Sequence, residues 1–274
     1  MLKSIKNRIT AAKVGSSSEA SEKKKVLIHR LSFLLILLAI WQILTTLKIY
    51  PNYLLPSPAE VFDTLYFGFT ESNYSFAILH SIKRVLLGYF LAVSVGVFAG
   101  LAIARYSFLD NTIGASLTAL QAIPSVAWVP LALLWFGISE AAVLFIVILE
   151  AFIPSALGVK TAAKTIPQVI IRAAQTLGAK TLDLYIRVII PAIVPQLVSS
   201  LRLSWAFAWR ALIAGELFVS GAGIGQTLEL GRSLADMSQV LSMILIIAVI
   251  GYFTDNIIFR KLEKSVHKRW GFEN

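Results

Sequence analysis

Six long apolar runs, at about residues 31–48, 82–104, 111–131, 141–158, 191–217 and 239–259, set the terms on which this chain can fold. An α-helix needs roughly 20 mostly apolar residues to cross the hydrocarbon core of a bilayer, and these runs have about that length. The other spanning solution, a closed β-barrel, is written in short segments that alternate apolar and polar residues. The runs here are continuous, so they predict an all-α polytopic membrane protein with six transmembrane helices in one domain. The composition agrees: 57% of the 274 residues are hydrophobic and only 15% are charged, against about 25% charged in soluble proteins. The first run lacks the small-residue cleavage site of a signal peptide and is predicted to stay as a helix.

Lysine and arginine fix the orientation, because they collect in cytoplasmic segments. With the N-terminus inside, residues 1–30, Arg105, residues 159–190 and residues 260–274 hold 19 of the 25 basic residues. Only Lys48 and Arg232 fall in outside loops. Both termini are therefore predicted to be cytoplasmic. The formal charge of +10 is then positive-inside charge, and nucleic acid is not needed to explain it. Residues 1–30 form a cytoplasmic tail and residues 31–274 the transmembrane domain. The Lys- and Ser-rich tail is too polar to bury a core. A second reading is an interfacial helix with Leu2, Ile5, Ile9 and Ala12 on one face.

Several functions are excluded by what is missing. There is no cysteine, and His29, His80 and His267 are too far apart for a metal-ligand spacing, so no metal site is expected. No G-x-x-x-x-G-K-[ST] stretch is present, so the chain has no phosphate loop of its own. No nucleophile–base pair or H-E-x-x-H set sits at membrane depth, which argues against an enzyme. An ion-coupled secondary transporter predicts inverted repeats, and none is evident.

The connecting segments carry more detail. In the first outside loop, Pro56-Ser-Pro58 predicts an extended turn before a short helix from about Ala59. Gly221-Ala-Gly-Ile-Gly225 is read as a flexible turn leading to an irregular stretch through Asp236. Residues 159–190 form the longest inside loop between spans. Pro167 opens a helix, Val169, Ile170, Ala173, Ala174 and Leu177 recur at helical spacing, and Gly178 stops it. A second short helix is predicted from Thr181 toward Val188, with Pro191 starting the fifth span. Small residues at 173, 174 and 178 leave room for a partner to approach. The plainer reading is an amphipathic connector packed on its own spans.

This loop resembles the cytoplasmic EAA loop of ABC-importer permeases: Glu-Ala-Ala, three residues, Gly, then a hydrophobic pair ending in Pro. Ala173, Ala174, Gly178, Ile190 and Pro191 stand in register, while Arg172 replaces the Glu. The likeness continues through Leu55-Pro-Ser-Pro-Ala-Glu-Val61, His80-Ser81 with Arg84 and Gly88, Ile123-Pro124 to Ala127-Trp-Val-Pro-Leu131, and Trp135-Phe-Gly137. Together these resemble the nitrate, sulfonate, taurine and bicarbonate branch of the MetI-like permeases of type I importers. The resemblance implies a multi-pass subunit of the bacterial plasma (inner) membrane that pairs with a second permease subunit as a homodimer. It implies two cytoplasmic ABC ATPase subunits gripping the loops, and an extracytoplasmic binding protein delivering substrate. ATP and Mg would be used by the ATPase, with no cofactor on this chain. The expected substrate is a small oxyanion, an aliphatic sulfonate, taurine or nitrate. Bicarbonate or a vitamin precursor such as that of thiamine is the alternative.

Candidate path residues come from the spans. At 100° per residue, Arg202, Trp205, Ala206, Trp209, Ile213 and Glu216 share a broad face of the fifth span, with Arg210 at its edge. Charged residues within a span face a polar cavity or a partner, and a guanidinium offers an oxyanion two parallel hydrogen bonds. The other reading is a structural ion pair of Arg202 or Arg210 with Glu150 or Glu216. Pro124 and Pro130 each remove a helical hydrogen bond, which predicts a bent or broken third span. Gln121, Ser125 and Trp128 would line the cavity beside it. Glu150, the lone acid in the fourth run, is either a gate or an ion-pair partner.

Overall fold

A computed structural model describes residues 24–26 and 28–270. Residues 1–23, with the alternative amphipathic face at Leu2, Ile5, Ile9 and Ala12, lie outside the described residues, as do residues 271–274. No strand occurs among those described, and five helices are long and apolar enough to span a bilayer, or six if one bent pair counts as a span. The chain is an all-α membrane protein.

It divides into two units, residues 1–63 and 64–274. The first holds α1 (Lys24–Thr46) and the start of α2 (Pro58–Thr70). α1 begins inside the segment expected to be tail, because its apolar face extends back to Val26. Trp41 Nε1 donates to the Pro56 carbonyl at 3.0 Å and holds the extended Pro-Ser-Pro turn to the helix. The Ser57 amide donates to Glu60 at 2.7 Å and the Glu60 amide to the Ser57 hydroxyl at 3.2 Å. This reciprocal capping box, with Pro58 in the first turn, starts α2.

The second unit is built around α6 (Glu140–Lys164), against which α3 (Tyr74–Arg105) and α8 (Leu182–Glu216) both pack along their length. Gly88, Ala92, Gly96 and Gly100 form a buried stripe on α3. A Cβ on Gly100 would stand 2.5 Å from the Ala156 carbonyl oxygen of α6. Small residues let membrane helices approach closely where lipid supplies no hydrophobic drive. On the other side of α6, Gly158 takes the Ser200 side chain of α8.

The third predicted span is two helices, α4 (Ser107–Leu120) and α5 (Ser125–Phe136), bent by 102° at the break. Pro124 is extended at ψ 143° and makes that break. Pro130 does not, contrary to expectation. It sits inside α5, where the loss of one hydrogen bond is absorbed. The loop helix α7 (Gln168–Thr176) begins after Pro167 as expected. The second loop helix is not separate: it runs into the fifth span as α8. A π-helical turn at Tyr185–Ile189 carries the chain past Pro191, which has no amide hydrogen to donate. The stretch expected to be irregular is helix α9 (Ile224–Ser233). The last span, α10 (Met237–Arg269), continues well beyond its apolar run. Further π turns lie at Asp110–Gly114 in α4 and Thr254–Phe259 in α10.

Candidate translocation and coupling site

The loop helix ends in a Schellman motif. Ala179 donates to the Ala174 carbonyl at 3.0 Å and Gly178 to the Gln175 carbonyl at 2.9 Å, with Gly178 at φ +87°. This left-handed turn is what glycine supplies at a helix end. Ala174 packs beside a small core of Ile166, Leu184 and Ile189. Arg172, Ala173 and Gly178 are exposed, and Arg172 forms no ion pair among the described residues. Val169, Leu177 and Leu182 are 76%, 89% and 72% exposed, an apolar surface on the loop and the first residue of α8. Ile190 and Pro191 stand on α8, where the Pro191 carbonyl accepts from Trp270 Nε1 at 3.0 Å. Nothing lies within 4 Å of where a Gly178 Cβ would be. The glycine is therefore required by its backbone angle, not by crowding within the chain.

The span arginines divide sharply. Arg202 grips Asp255 with two hydrogen bonds of 2.6 Å and Glu263 with one of 2.9 Å. Ser199 also donates to Glu263, at 2.6 Å. These groups line a cavity of about 590 Å³ that Gln121 and Gln196 share. Two carboxylates bond this one guanidinium, so Arg202 is already neutralised. Its partners are neither of the acids expected from sequence. Arg210 differs: its Nε donates to the Ala206 carbonyl of its own helix at 3.1 Å, and its guanidinium stands 4.6 Å from the Phe207 ring centre. No carboxylate among the described residues bonds to it. Glu150 is buried and, among the described residues, has no ion pair or hydrogen bond of its own.

Of the expected path residues, Trp205, Trp209 and Glu216 are buried among the helices. Trp205 donates to Thr254 Oγ1 at 3.1 Å and meets Tyr89 edge-on. Glu216 is fully buried and anchors another polar cluster. It accepts from Arg84 Nη1 at 2.5 Å, from Ser81 at 2.8 Å and from the Gly225 amide at 2.9 Å. Arg84 Nη2 reaches Glu140 at 2.7 Å. A Cβ at Gly223 would stand 2.6 Å from the Glu216 carboxyl carbon. The glycine-rich turn is thus a close-fitting cradle for the chain's own carboxylate at the start of α9, not a flexible hinge. Gln121 sits at the α4–α5 break and Ser125 opens α5. The buried Trp128 Nε1 has no hydrogen-bond partner among the described residues. Sequence reasoning missed Glu140, Asp255 and Glu263. Asp255 carried a signal, being the one acid inside the sixth apolar run.

Comparison with known proteins agrees with this architecture. Residues 92–268 match the family model of the binding-protein-dependent transport system inner membrane component. A putative ABC transporter permease protein of Methanocaldococcus jannaschii is 34% identical over 251 residues, covering 89% of this chain and 92% of the relative. The taurine transport system permease protein TauC of Escherichia coli is 29% identical over 227 residues, covering 81% and 82%. Among solved structures, a chain of the inward-facing MetNI methionine ABC transporter superposes with a TM-score of 0.57 at 17% identity, covering 70% of this chain and 97% of that one. The fold is therefore MetI-like, and the chain belongs to the family of inner membrane components of binding-protein-dependent ABC transport systems.

Proposed function

We propose that this permease carries small oxyanions of the sulfonate, taurine or nitrate type inward, and that Arg210 is the residue that meets them. One observation carries the choice of residue: Arg202 is spent on two carboxylates, whereas Arg210 has none. A guanidinium without a carboxylate in a span favours an anion that can replace lost water. The Trp128 indole, unpartnered among the described residues, is a second candidate donor. The taurine-transport role of one relative supports this substrate class.

The working assembly has two copies of this chain, two cytoplasmic ABC ATPase subunits and an extracytoplasmic binding protein, in the bacterial inner membrane with both termini inside. The chain performs no chemistry; ATP and Mg belong to the ATPase. The exposed apolar surface of α7 and the start of α8 docks on the ATPase, around Arg172, Ala173, Ala174 and Gly178. Because α8 is continuous from this loop through the membrane, movement of the loop turns the span that carries Arg210. Binding-protein-dependent uptake into proteoliposomes tests the anion role. Arg210→Leu lowers uptake by about tenfold or more, the value of one charged hydrogen bond, and leaves ATPase co-purification intact. Unchanged uptake in that variant would remove Arg210 from the path.

A further inference from the structure

Beneath the loop helix lies a second cavity, of about 510 Å³, that the transport reading does not use. It is bounded by the ends of α3 and α6, the inner face of α7 and the π turn of α8. Its polar lining is Arg105, Lys164, Gln168, Gln175 and Tyr185. Every one of these can donate a hydrogen bond, and no carboxylate among the described residues lines the cavity. Arg105 forms no ion pair among the described residues; its guanidinium only stands 5.8 Å from the Tyr106 ring centre. Lys164 shares a single carboxylate, Asp110, with Lys160. Two ammonium groups on one acid, together with an unpaired guanidinium, leave a positive surplus at the mouth.

We infer that this cavity binds a phosphate-type oxyanion, either the headgroup of an anionic phospholipid or a free phosphate. A tetrahedral anion presents only acceptors, which is what a lining of donors calls for, and two cations offset its charge. The apolar part of the wall, Ile171 and Ile189 among others, accommodates the ester side of a headgroup. The bound anion ties α7 to the ends of α3 and α6, so it sets how firmly the loop helix is held. The site does not depend on the identity of the transported substrate, and its test reads binding instead of uptake.

The test uses the full chain purified in detergent, with thermal unfolding followed by tryptophan fluorescence at fixed ionic strength. One titration adds inorganic phosphate, and the other a short-chain phosphatidylglycerol in matched micelles of phosphatidylcholine. Saturable stabilisation by phosphate alone identifies a soluble anion; saturation by phosphatidylglycerol only identifies a headgroup. In either case Arg105→Gln and Lys164→Gln each weaken the apparent affinity by roughly tenfold, as loss of one charged hydrogen bond does. Arg187→Gln, an exposed change outside the cavity, leaves it unaltered. Gln175→Leu, on a helix that buries none of its residues, provides a second reading with a smaller loss if a charge variant folds poorly. The inference is overturned if neither ligand saturates, or if the cavity variants bind as well as Arg187→Gln.

Discussion

Replacing Arg84 by Leu isolates the most deeply buried charge pair. The Arg84 side chain is 5% exposed and that of Glu216 is 0% exposed. Removing the guanidinium leaves a carboxylate with Ser81 and the Gly225 amide as its remaining donors. Loss of one partner from a buried pair costs about 3–5 kcal/mol. The two surviving donors favour the lower end, about 3 kcal/mol, since each hydrogen bond to a charged group contributes about 1.5–3 kcal/mol. Glu140→Gln breaks the other arm of the same guanidinium. Glu140 is 68% exposed, so that change costs below about 1 kcal/mol. The assay is unfolding of the purified chain in detergent titrated with a denaturing surfactant. A cycle with Glu216→Leu separates the pair from its surroundings. The two single losses should exceed that of the double variant by at least about 2 kcal/mol, because the double leaves no stranded charge. The reasoning fails if the effects add to within about 0.5 kcal/mol, or if Arg84→Leu is no worse than Glu140→Gln.

Other expectations use the same unfolding or uptake measurements. Arg202→Leu removes the guanidinium that bonds both Asp255 and Glu263, so it lowers stability more than Arg210→Leu; equal losses would count against the neutralised cluster. Gly178→Ala and Gly178→Leu lower the stability of the purified chain alike and Gly178→Asn less, because within the chain the cost is the left-handed angle, about 1–2 kcal/mol, and not side-chain bulk; a stability loss that grows with side-chain size would refute this. Gly158→Ala destabilises the α6–α8 crossing, where the new methyl would stand 2.1 Å from Ser200 Oγ. Adding Ser200→Gly should restore most of the loss, and absence of rescue would show that the helices part for another reason.

Much of the fold was legible because apolar length and proline act locally. The apolar runs mark the spans, Pro124 marks the break, and Pro167 and Gly178 bound the loop helix. The continuity of α8 was not legible, because Pro191 reads as a helix start and the π turn that carries the chain past it has no local signature. Helix α9 was hidden for a similar reason. Its glycines suggest freedom, and only the fold brings the Glu216 carboxylate into contact with them. The candidate site was less readable than the spans. Arg202 and Arg210 stand on one helix with the same residue type, and only partners some 50 residues away, Asp255 and Glu263, make one neutral and leave the other unpaired.

The three π turns have a consequence for how such a chain can vary in length. Each holds one residue more than a regular helix needs over the same rise, and one residue is worth about 100° of rotation. Asp110 and Asp255 both lie within such turns and both face cations on neighbouring helices. Deleting a single residue from either turn would heal the backbone ladder at no cost in local hydrogen bonding, yet swing everything beyond it by about a quarter of a circle. At these points the aim of a side chain is fixed by counting residues and not by choosing them. A one-residue gap there would disable the chain as surely as loss of the acid itself.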